Sequence, residues 1–183
     1  MKRLSIFTAL ILAVLAFSLV GVSAQSFTDT KSARTIEQQV YKKILRLPRY
    51  EVFDNIKFSV DGGTVTLFGK VRNGINKSDA KNVVKSIPGV TKVVNNIEIL
   101  PPSGFDESIR RNLYRTLSNS GGLSRYLWPV NPSVRLIVDG GHVTLEGFVA
   151  NKGDYNMMNI LANGVSGVFS VTNNLVIDSD RAR

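Results

Sequence analysis

A twelve-residue segment occurs twice in this chain of 183 residues. VDGGTVTLFGKV occupies residues 60–71, VDGGHVTLEGFV occupies 138–149, and nine of the twelve positions are identical. The same spacing of 78 residues relates IPGVTKVVNNIEI at 87–99 to VSGVFSVTNNLVI at 165–177. Because similar segments in the same order and at the same spacing indicate one repeated folding unit, the sequence predicts two modules of about seventy residues.

Each copy begins with helical periodicity. Ile36, Val40 and Ile44 recur every four residues, which predicts a helix over 33–46 with one buried face. The matching residues of the second copy, 73 positions later, are Ile109, Leu113 and Leu117. Since the hairpin segments lie 78 positions apart, the second copy carries five additional residues between its first helix and its first strand.

Strand and turn signals follow this helix. Residues 56–60 alternate apolar and polar side chains, as in a half-buried strand, and Asp61-Gly62-Gly63 predicts the turn to a second strand. A second helix, predicted over 77–86, is long enough to cross to a parallel last strand over 90–99. We therefore predict an α+β fold of two tandem α-β-β-α-β modules. Each module is a small mixed three-stranded sheet with two helices on one face.

The N-terminal segment has the three parts of a secretory signal. Lys2 and Arg3 supply a positive start, residues 6–20 are almost wholly apolar, and Val22-Ser23-Ala24 fits a signal peptidase site. The alternative is a retained membrane anchor, since the apolar run approaches the length that spans a bilayer. The predicted divisions are a signal peptide at 1–24, module 1 at 33–100, a linker at 101–105, module 2 at 106–178 and a C-terminal tail at 179–183.

Cysteine content and charge bear on location and partner. The chain has no cysteine, and export without disulfides is typical of a bacterial periplasm. Basic residues outnumber acidic ones by 13 to 7 in residues 25–100 but only by 8 to 7 in 101–183. This excess in the first half favours an anionic partner, and export argues against nucleic acid. We predict a periplasmic location, either free or membrane-associated.

The order of these elements resembles a known family. In both copies a helix, the hairpin V-D-G-G-x-V-T-L-x-G-x-V, a second helix and the strand G-V-x-x-V-x-N-N are similar to the BON domain (bacterial osmotic-shock and nodulation). The resemblance implies an envelope protein without catalytic activity, whose modules attach to phospholipid membranes or mediate interactions in envelope assemblies. It implies a structural role for the matching glycines, which are Gly62, Gly63, Gly69, Gly89, Gly140, Gly141, Gly147 and Gly167.

Residues with catalytic chemistry are few. His142 is the only histidine, and Thr64 takes its place in the first copy, so we expect a surface strand residue and not a base or ligand. Asp61 and Asp139 recur as turn residues whose carboxylates bond to the backbone. The sequence has no His/Cys cluster for zinc, no phosphate-binding glycine loop and no nucleophile motif. We therefore expect no enzyme activity, no cofactor and no metal.

Basic residues on two predicted helices are candidate lipid-binding groups. Lys77, Lys81 and Lys85 lie four residues apart on the second helix of module 1, and each could contribute roughly 1 kcal/mol near an anionic bilayer. The alternative is an ordinary solvated face. The first helix of module 2 adds Arg110, Arg111 and Arg115.

The insertion in module 2 is the third candidate lipid-binding group. Arg125, Tyr126, Leu127 and Trp128 combine a cation with aromatic and apolar side chains, as suits the headgroup region of a bilayer. We predict that these four residues form an insertion point, the place where module 2 enters the bilayer surface. The alternative is that Trp128, the only tryptophan, packs on its own module.

The expected function follows from the resemblance and these candidate groups. We expect an exported, non-catalytic envelope protein that binds anionic phospholipid membrane surfaces, in envelope integrity or osmotic stress protection. The alternative is a periplasmic adaptor for protein–protein interactions, with Phe68 and Phe148 on the outward sheet faces as contact points between modules or with envelope proteins.

Overall fold

The computed structural model describes residues 23–178, with side chains from residue 34 onward. The predicted tail and all but two residues of the predicted signal peptide lie outside this range. In chain order the helices and strands are α1 (Ser23–Leu45), β1 (Asn55–Asp61), β2 (Thr64–Val71), α2 (Gly74–Lys85), β3 (Lys92–Ile99), α3 (Gly104–Ser118), β4 (Val134–Asp139), β5 (His142–Val149), α4 (Lys152–Asn163) and β6 (Ser170–Ile177). A 3₁₀ turn, Leu123–Tyr126, lies between α3 and β4.

Each module contains one three-stranded mixed sheet. In module 1, β2 lies between β1, to which it is antiparallel, and β3, to which it is parallel. In module 2, β5 lies in the same way between β4 and β6. The registers are equivalent, since Val65 pairs with Val93 and Val143 pairs with Val171. The predicted α+β fold of two tandem α-β-β-α-β modules is confirmed.

The helices begin earlier than their apolar periodicity predicted. α1 already includes residues 23–32, ahead of the predicted start at 33, because this segment contains neither glycine nor proline to stop a helix but also no apolar stripe to reveal one. α2 starts at Gly74 instead of 77, because the Asn73 side chain accepts a hydrogen bond from the Ile75 backbone N–H and caps the helix there.

The inward faces of the two hairpins form equivalent cores. Val65, Leu67 and Val71 of module 1 are buried against apolar residues of α1 and α2. Their equivalents in module 2 are Val143, Leu145 and Val149, which are buried with residues of α3 and α4. Burying a valine or leucine side chain of this kind contributes about 1.5–3 kcal/mol relative to exposure, so the repeated hairpin supplies much of each core.

The outward faces of the two sheets meet each other. Lys57 of β1 pairs with Glu146 of β5 at 2.8 Å, and Lys70 of β2 pairs with Asp139 of β4 at 2.5 Å. β4 is buried on both faces, because its outward-facing residue Ile137 is covered as well as its inward ones. The modules therefore pack with their sheets inside and their helices outside.

The close approach of two backbones in the hairpin generates a stability prediction. Gly147 has φ +115°, and a Cβ there would overlap the carbonyl oxygen of Ser133. Gly147→Ala should therefore lower the free energy of unfolding by more than about 2 kcal/mol, through positive-φ strain and displaced backbone. Urea unfolding followed by circular dichroism measures this.

A second glycine supplies the matched control. Gly104 begins α3, and a Cβ there meets nothing within 4 Å. Gly104→Ala should change the free energy of unfolding by no more than about 0.5 kcal/mol. Equal losses in Gly147→Ala and Gly104→Ala would contradict the assignment of the backbone contact.

Candidate functional site

A groove of about 680 Å³ lies at the junction of the two modules. One wall is the segment 51–53, which precedes β1, and the other is the exposed side of α3. Leu127 and Pro129, from the loop after the 3₁₀ turn, also line it. The residues that line this junction groove are Glu51, Val52, Phe53, Arg111, Tyr114, Arg115, Ser118, Asn119, Leu127 and Pro129.

The module 1 wall is held in place by the first strand of module 2. The Leu136 backbone N–H donates to the Val52 carbonyl oxygen at 2.8 Å. Arg135 donates from Nη1 to the Glu51 carbonyl oxygen at 2.9 Å, and its guanidinium lies 4.1 Å from the Tyr50 ring centroid. Val52 consequently belongs to the apolar core of module 2 and not to that of its own module.

Burial shifts the pKa values of two groups at this contact. Arg135 is only 6% exposed, and desolvation lowers the pKa of its guanidinium, against the opposing effects of Tyr50 and Asp54. Desolvation likewise raises the pKa of the Tyr50 phenol, whose oxygen accepts a hydrogen bond from the Ile56 N–H at 2.9 Å. Because an arginine keeps its charge far above neutral pH, Arg135 is a cation held between the modules.

A buried carboxylate fixes the other side of the same segment. Asp54 accepts hydrogen bonds from the backbone N–H groups of Glu51 at 3.0 Å and Arg72 at 2.7 Å, and from Asn76 Nδ2 at 2.8 Å. Burial raises the pKa of the Asp54 carboxyl, and the two backbone hydrogen bonds oppose that rise. The loop that carries Val52 and Phe53 is therefore anchored to both modules.

The α3 wall is cationic at its rim and aromatic below it. Ile109, Leu113 and Leu117 face the core, so the helical repeat places Arg111 and Arg115 on the exposed side. Tyr114 lies between them and meets Phe53 of the opposite wall edge-to-face, with ring centroids 6.2 Å apart. This contact joins the two modules among the residues that line the groove.

The additional segment of module 2, between α3 and β4, is held by a network of hydrogen bonds around Asp154 at the start of α4. Tyr126 donates its hydroxyl to Asp154 at 2.5 Å and accepts from the Ala150 N–H at 2.9 Å. Arg125 pairs with the same carboxylate at 2.5 Å. The hydrogen bond from Tyr126, followed by that from Arg125, lowers the pKa of Asp154 below its usual range. The 3₁₀ turn is thereby tied to α4.

The predicted insertion point is only partly at the surface. Trp128 is 65% exposed, next to the groove residues Leu127 and Pro129, and Arg125 is also exposed. The expectation that Tyr126 and Leu127 lie with them at the surface is wrong, because both side chains are buried in the core of module 2. The five additional residues therefore extend that core as well as the surface.

Of the three predicted arginines of α3, two are exposed and one is buried. Arg111 and Arg115 line the junction groove. Arg110 is 3% exposed and donates to the Val138 carbonyl oxygen at 2.5 Å, so a surface role for it is wrong. Its position one residue after buried Ile109 turns it toward β4 and away from solvent.

The predicted lysine face lies elsewhere on the molecule. Ala80 and Val84 of α2 are buried, which leaves Lys81 and Lys85 exposed and Lys77 half-buried on the other side. α1 packs beside α2 and adds exposed basic residues, among them Lys42 and Lys43. None of these side chains lines the junction groove.

Val52 and Phe53 are groove residues that sequence reasoning missed. They lie in YEVFDN, between the predicted helix and strand, where no periodicity marks a function. The one available signal of a contact was the presence of two apolar residues outside any predicted helix or strand. The contact that explains them, with Leu136 and Tyr114, joins positions more than sixty residues apart.

The helices and the acidic side chains of residues 23–178 bear on membrane spans and metal sites. Within that range none of the helices combines the length and hydropathy needed to cross a bilayer. In the same range no three His, Cys, Asp or Glu side chains come together as a metal site.

The sequence profile of the BON domain matches residues 32–101 and again residues 105–179. The chain belongs to the BON domain family. The predicted resemblance of both copies is thus confirmed, and module 1 and module 2 are tandem BON modules. Membership in this family fits a non-catalytic role associated with the cell envelope.

Solved structures of one secretion protein are similar to these tandem BON modules. One is the C-terminal domain of CdsD, a structural protein of the type III secretion system of Chlamydia trachomatis, with 18% identity and a TM-score of 0.30. The match covers 78% of this chain and 64% of the CdsD chain. A second CdsD structure has 14% identity and a TM-score of 0.30, over 81% and 95% of the two chains. No curated protein matches the sequence.

Two neighbouring residues of the insertion should respond oppositely to truncation. Leu127 is 2% exposed, so Leu127→Ala should lower the free energy of unfolding by about 2–5 kcal/mol through lost burial and a cavity. Trp128→Ala should change it by no more than about 0.5 kcal/mol, because the indole is exposed. Urea unfolding of both variants measures this, and a loss of several kcal/mol in Trp128→Ala would place the indole in the core.

The Asp154 network predicts a pH-dependent difference. An acid whose folded pKa is depressed stabilises the fold above its unfolded pKa, and this contribution is lost as pH falls through the folded pKa. Tyr126→Phe should therefore cost about 1–2 kcal/mol at pH 7, and the cost should shrink below about pH 4. Urea midpoints at several pH values test this.

Tyr155→Phe is the matched control for that series. Its hydroxyl donates to the Asn173 carbonyl oxygen at 3.4 Å and not to a carboxylate. The stability difference between wild type and Tyr155→Phe should be the same at pH 7 and below pH 4. A cost of Tyr126→Phe that does not vary with pH would contradict the role of the Asp154 charge.

Proposed function

We propose that this BON protein binds anionic phospholipid membrane surfaces of the envelope through the rim of the junction groove. The observation that carries the proposal is an apolar groove lined by Arg111 and Arg115, with exposed Trp128 between two of its lining residues. Arg111 and Arg115 lie on α3, and Trp128 lies in the loop between the groove-lining residues Leu127 and Pro129. The envelope location rests on the family and on the predicted export signal.

The chemistry of the rim suits a headgroup region. A guanidinium group binds phosphate through paired N–H donors, and an exposed indole is favourable at the depth of the headgroups. The groove walls below the rim are apolar at Val52, Phe53 and Leu127. The rim therefore offers the cation, the aromatic ring and the apolar surface that interfacial binding combines.

Module 1 contributes attraction over a longer range. Its helices carry the exposed basic residues of α1 and α2, and basic residues exceed acidic ones in this half of the chain. Exposed charges act over about 8 Å at physiological ionic strength, so this face concentrates the protein near an anionic surface without defining the contact. A role in envelope integrity or in protection from osmotic stress is consistent with such binding.

Vesicle co-sedimentation of two charge-matched double variants tests the proposal. Each arginine or lysine at an anionic surface contributes about 1 kcal/mol, so Arg111→Gln with Arg115→Gln should weaken binding to phosphatidylglycerol-containing vesicles roughly thirtyfold at low salt. Lys81→Gln with Lys85→Gln removes the same charge from α2 and should weaken binding less. A larger loss in the lysine variant would move the contact to the helices of module 1.

Tryptophan fluorescence provides a second readout of the same proposal. Because Trp128 is the only tryptophan and is exposed, its emission should shift to the blue on addition of anionic vesicles. Vesicles of phosphatidylcholine alone should leave it unchanged. An emission maximum that does not move with either vesicle would contradict insertion of the indole.

A protein-adaptor function is favoured by a different surface. Phe105 and Phe169 are 48% and 70% exposed, with ring centroids 5.7 Å apart beside the β4–β5 turn. The corresponding residue of Phe169 in module 1 is Thr91, so the common fold does not require the ring. Phe68, which is 38% exposed, and Phe148 lie on the sheet faces that meet between the modules, which favours the more exposed pair Phe105 and Phe169 as the site for an envelope protein.

A further inference from the structure

We propose that the junction groove binds a single anionic amphiphile, with its chain inside the groove and its headgroup on the two arginines of α3. The inference rests on the proposed function and adds that the site is composite. Val52 and Phe53 come from module 1, whereas Arg111, Tyr114 and Arg115 come from module 2. Neither module alone contains both walls.

The size and lining of the groove fit one chain and one headgroup. Its volume of about 680 Å³ falls within the usual range for small-molecule sites, about 300–1,000 Å³. Val52, Phe53, Leu127 and Pro129 line it with apolar atoms. The lining carboxylate of Glu51 is paired with Arg72 at 3.3 Å, and Arg111 lies 3.9 Å from the carboxylate of Glu107. The two arginines of α3 therefore outnumber the one carboxylate paired with them, which favours an anionic headgroup there.

Arg135 acts in this site as a positioning residue. It does not line the groove, but it holds the Glu51 carbonyl oxygen at 2.9 Å and stacks on Tyr50. Those contacts fix the segment whose next two residues form the module 1 wall. Removing the guanidinium should therefore move the wall without removing any group that touches the ligand.

Ligand binding and module docking are consequently linked. A ligand that binds only the docked arrangement stabilises it in proportion to the logarithm of its concentration relative to Kd. By the same linkage, any change that favours the docked arrangement raises the affinity for the ligand. The tandem arrangement of two BON modules thereby has a functional reason that a single module cannot supply.

Titration calorimetry with dodecyl phosphate, below its critical micelle concentration, tests the inference on the full chain. The expected result is saturable binding with a stoichiometry of one. Arg111→Gln with Arg115→Gln should weaken that binding at least tenfold, and dodecyltrimethylammonium, with the same chain and the opposite charge, should not bind. Saturable binding of the cation, or no binding of dodecyl phosphate, overturns the inference.

Variants of Arg135 test the composite part of the site. Arg135→Met keeps an unbranched apolar side chain but loses the donor, and should weaken dodecyl phosphate binding at least fivefold. Arg135→Lys keeps a donor for the Glu51 carbonyl oxygen and should restore part of the affinity. If Arg135→Met is folded and binds dodecyl phosphate as wild type does, the groove does not depend on the contacts of Arg135 with Glu51 and Tyr50. The proposal of a site composed from both modules is then wrong.

A measurement on the wild type covers the case in which Arg135→Met does not fold. Dodecyl phosphate should slow amide hydrogen exchange at Leu136, whose N–H donates across the junction. The N–H of Val65 in the module 1 core serves as the internal reference. Equal protection at both amides would indicate general stabilisation and would overturn the link between the groove and the junction.

The two proposals fail in different ways. If dodecyl phosphate does not bind but vesicle binding still depends on Arg111 and Arg115, this inference falls and the membrane proposal stands. If dodecyl phosphate binds with these properties but anionic vesicles do not, the protein takes up monomeric amphiphiles and the membrane proposal falls.

Discussion

The contact between β4 and the segment before β1 is the interaction on which the module junction depends. Leu136 donates one backbone hydrogen bond to Val52, and Arg135 adds a second to Glu51. They hold the segment whose Val52 side chain is buried in the core of module 2. A buried guanidinium is costly unless its donors and its flat face are satisfied, and here a carbonyl oxygen and the Tyr50 ring do so. The groove follows from this arrangement. Segment 51–53 packs against module 2 on its way to β1, and the space between this segment and α3 is the groove.

The two modules attach the second helix to the loop before the first strand with the hydrogen-bond donor and acceptor exchanged. In each, a residue near the start of the second helix holds the loop before the first strand. Asn76 in module 1 donates its amide to the carboxylate of Asp54, whereas Asp154 in module 2 accepts from the phenol of Tyr126. Asn76 and Asp154 are equivalent positions, 78 residues apart. The donor and acceptor have changed places, while the connection between helix and loop is the same in both modules.

Divergence between the copies is concentrated where the modules meet and where they face solvent. The inward positions of β2 and β5 are identical, because each must fill an equivalent core. The outward positions differ in charge, and the ion pairs Lys57–Glu146 and Lys70–Asp139 use that difference. Partly exposed pairs of this kind contribute little to stability, about 0–1 kcal/mol each, but opposite charges favour this face-to-face pairing over one between like surfaces.

The sequence by itself determined the module and its number. Three signals in the repeat leave few alternative folds for the module. They are alternating apolar residues, a turn at Asp61-Gly62-Gly63 and a helix long enough for a crossover, and each acts over a few neighbouring residues. Only the tertiary structure decided which candidate residues share a site. Tyr126, Leu127 and Trp128 are all apolar or aromatic, so their residue types offered no reason to separate them. Tyr126 bonds to Asp154 of α4 and Leu127 is buried in the core of module 2, whereas Trp128 is exposed. The junction groove likewise joins segments that local periodicity cannot relate, since hydrogen bonding and burial across the modules select its walls.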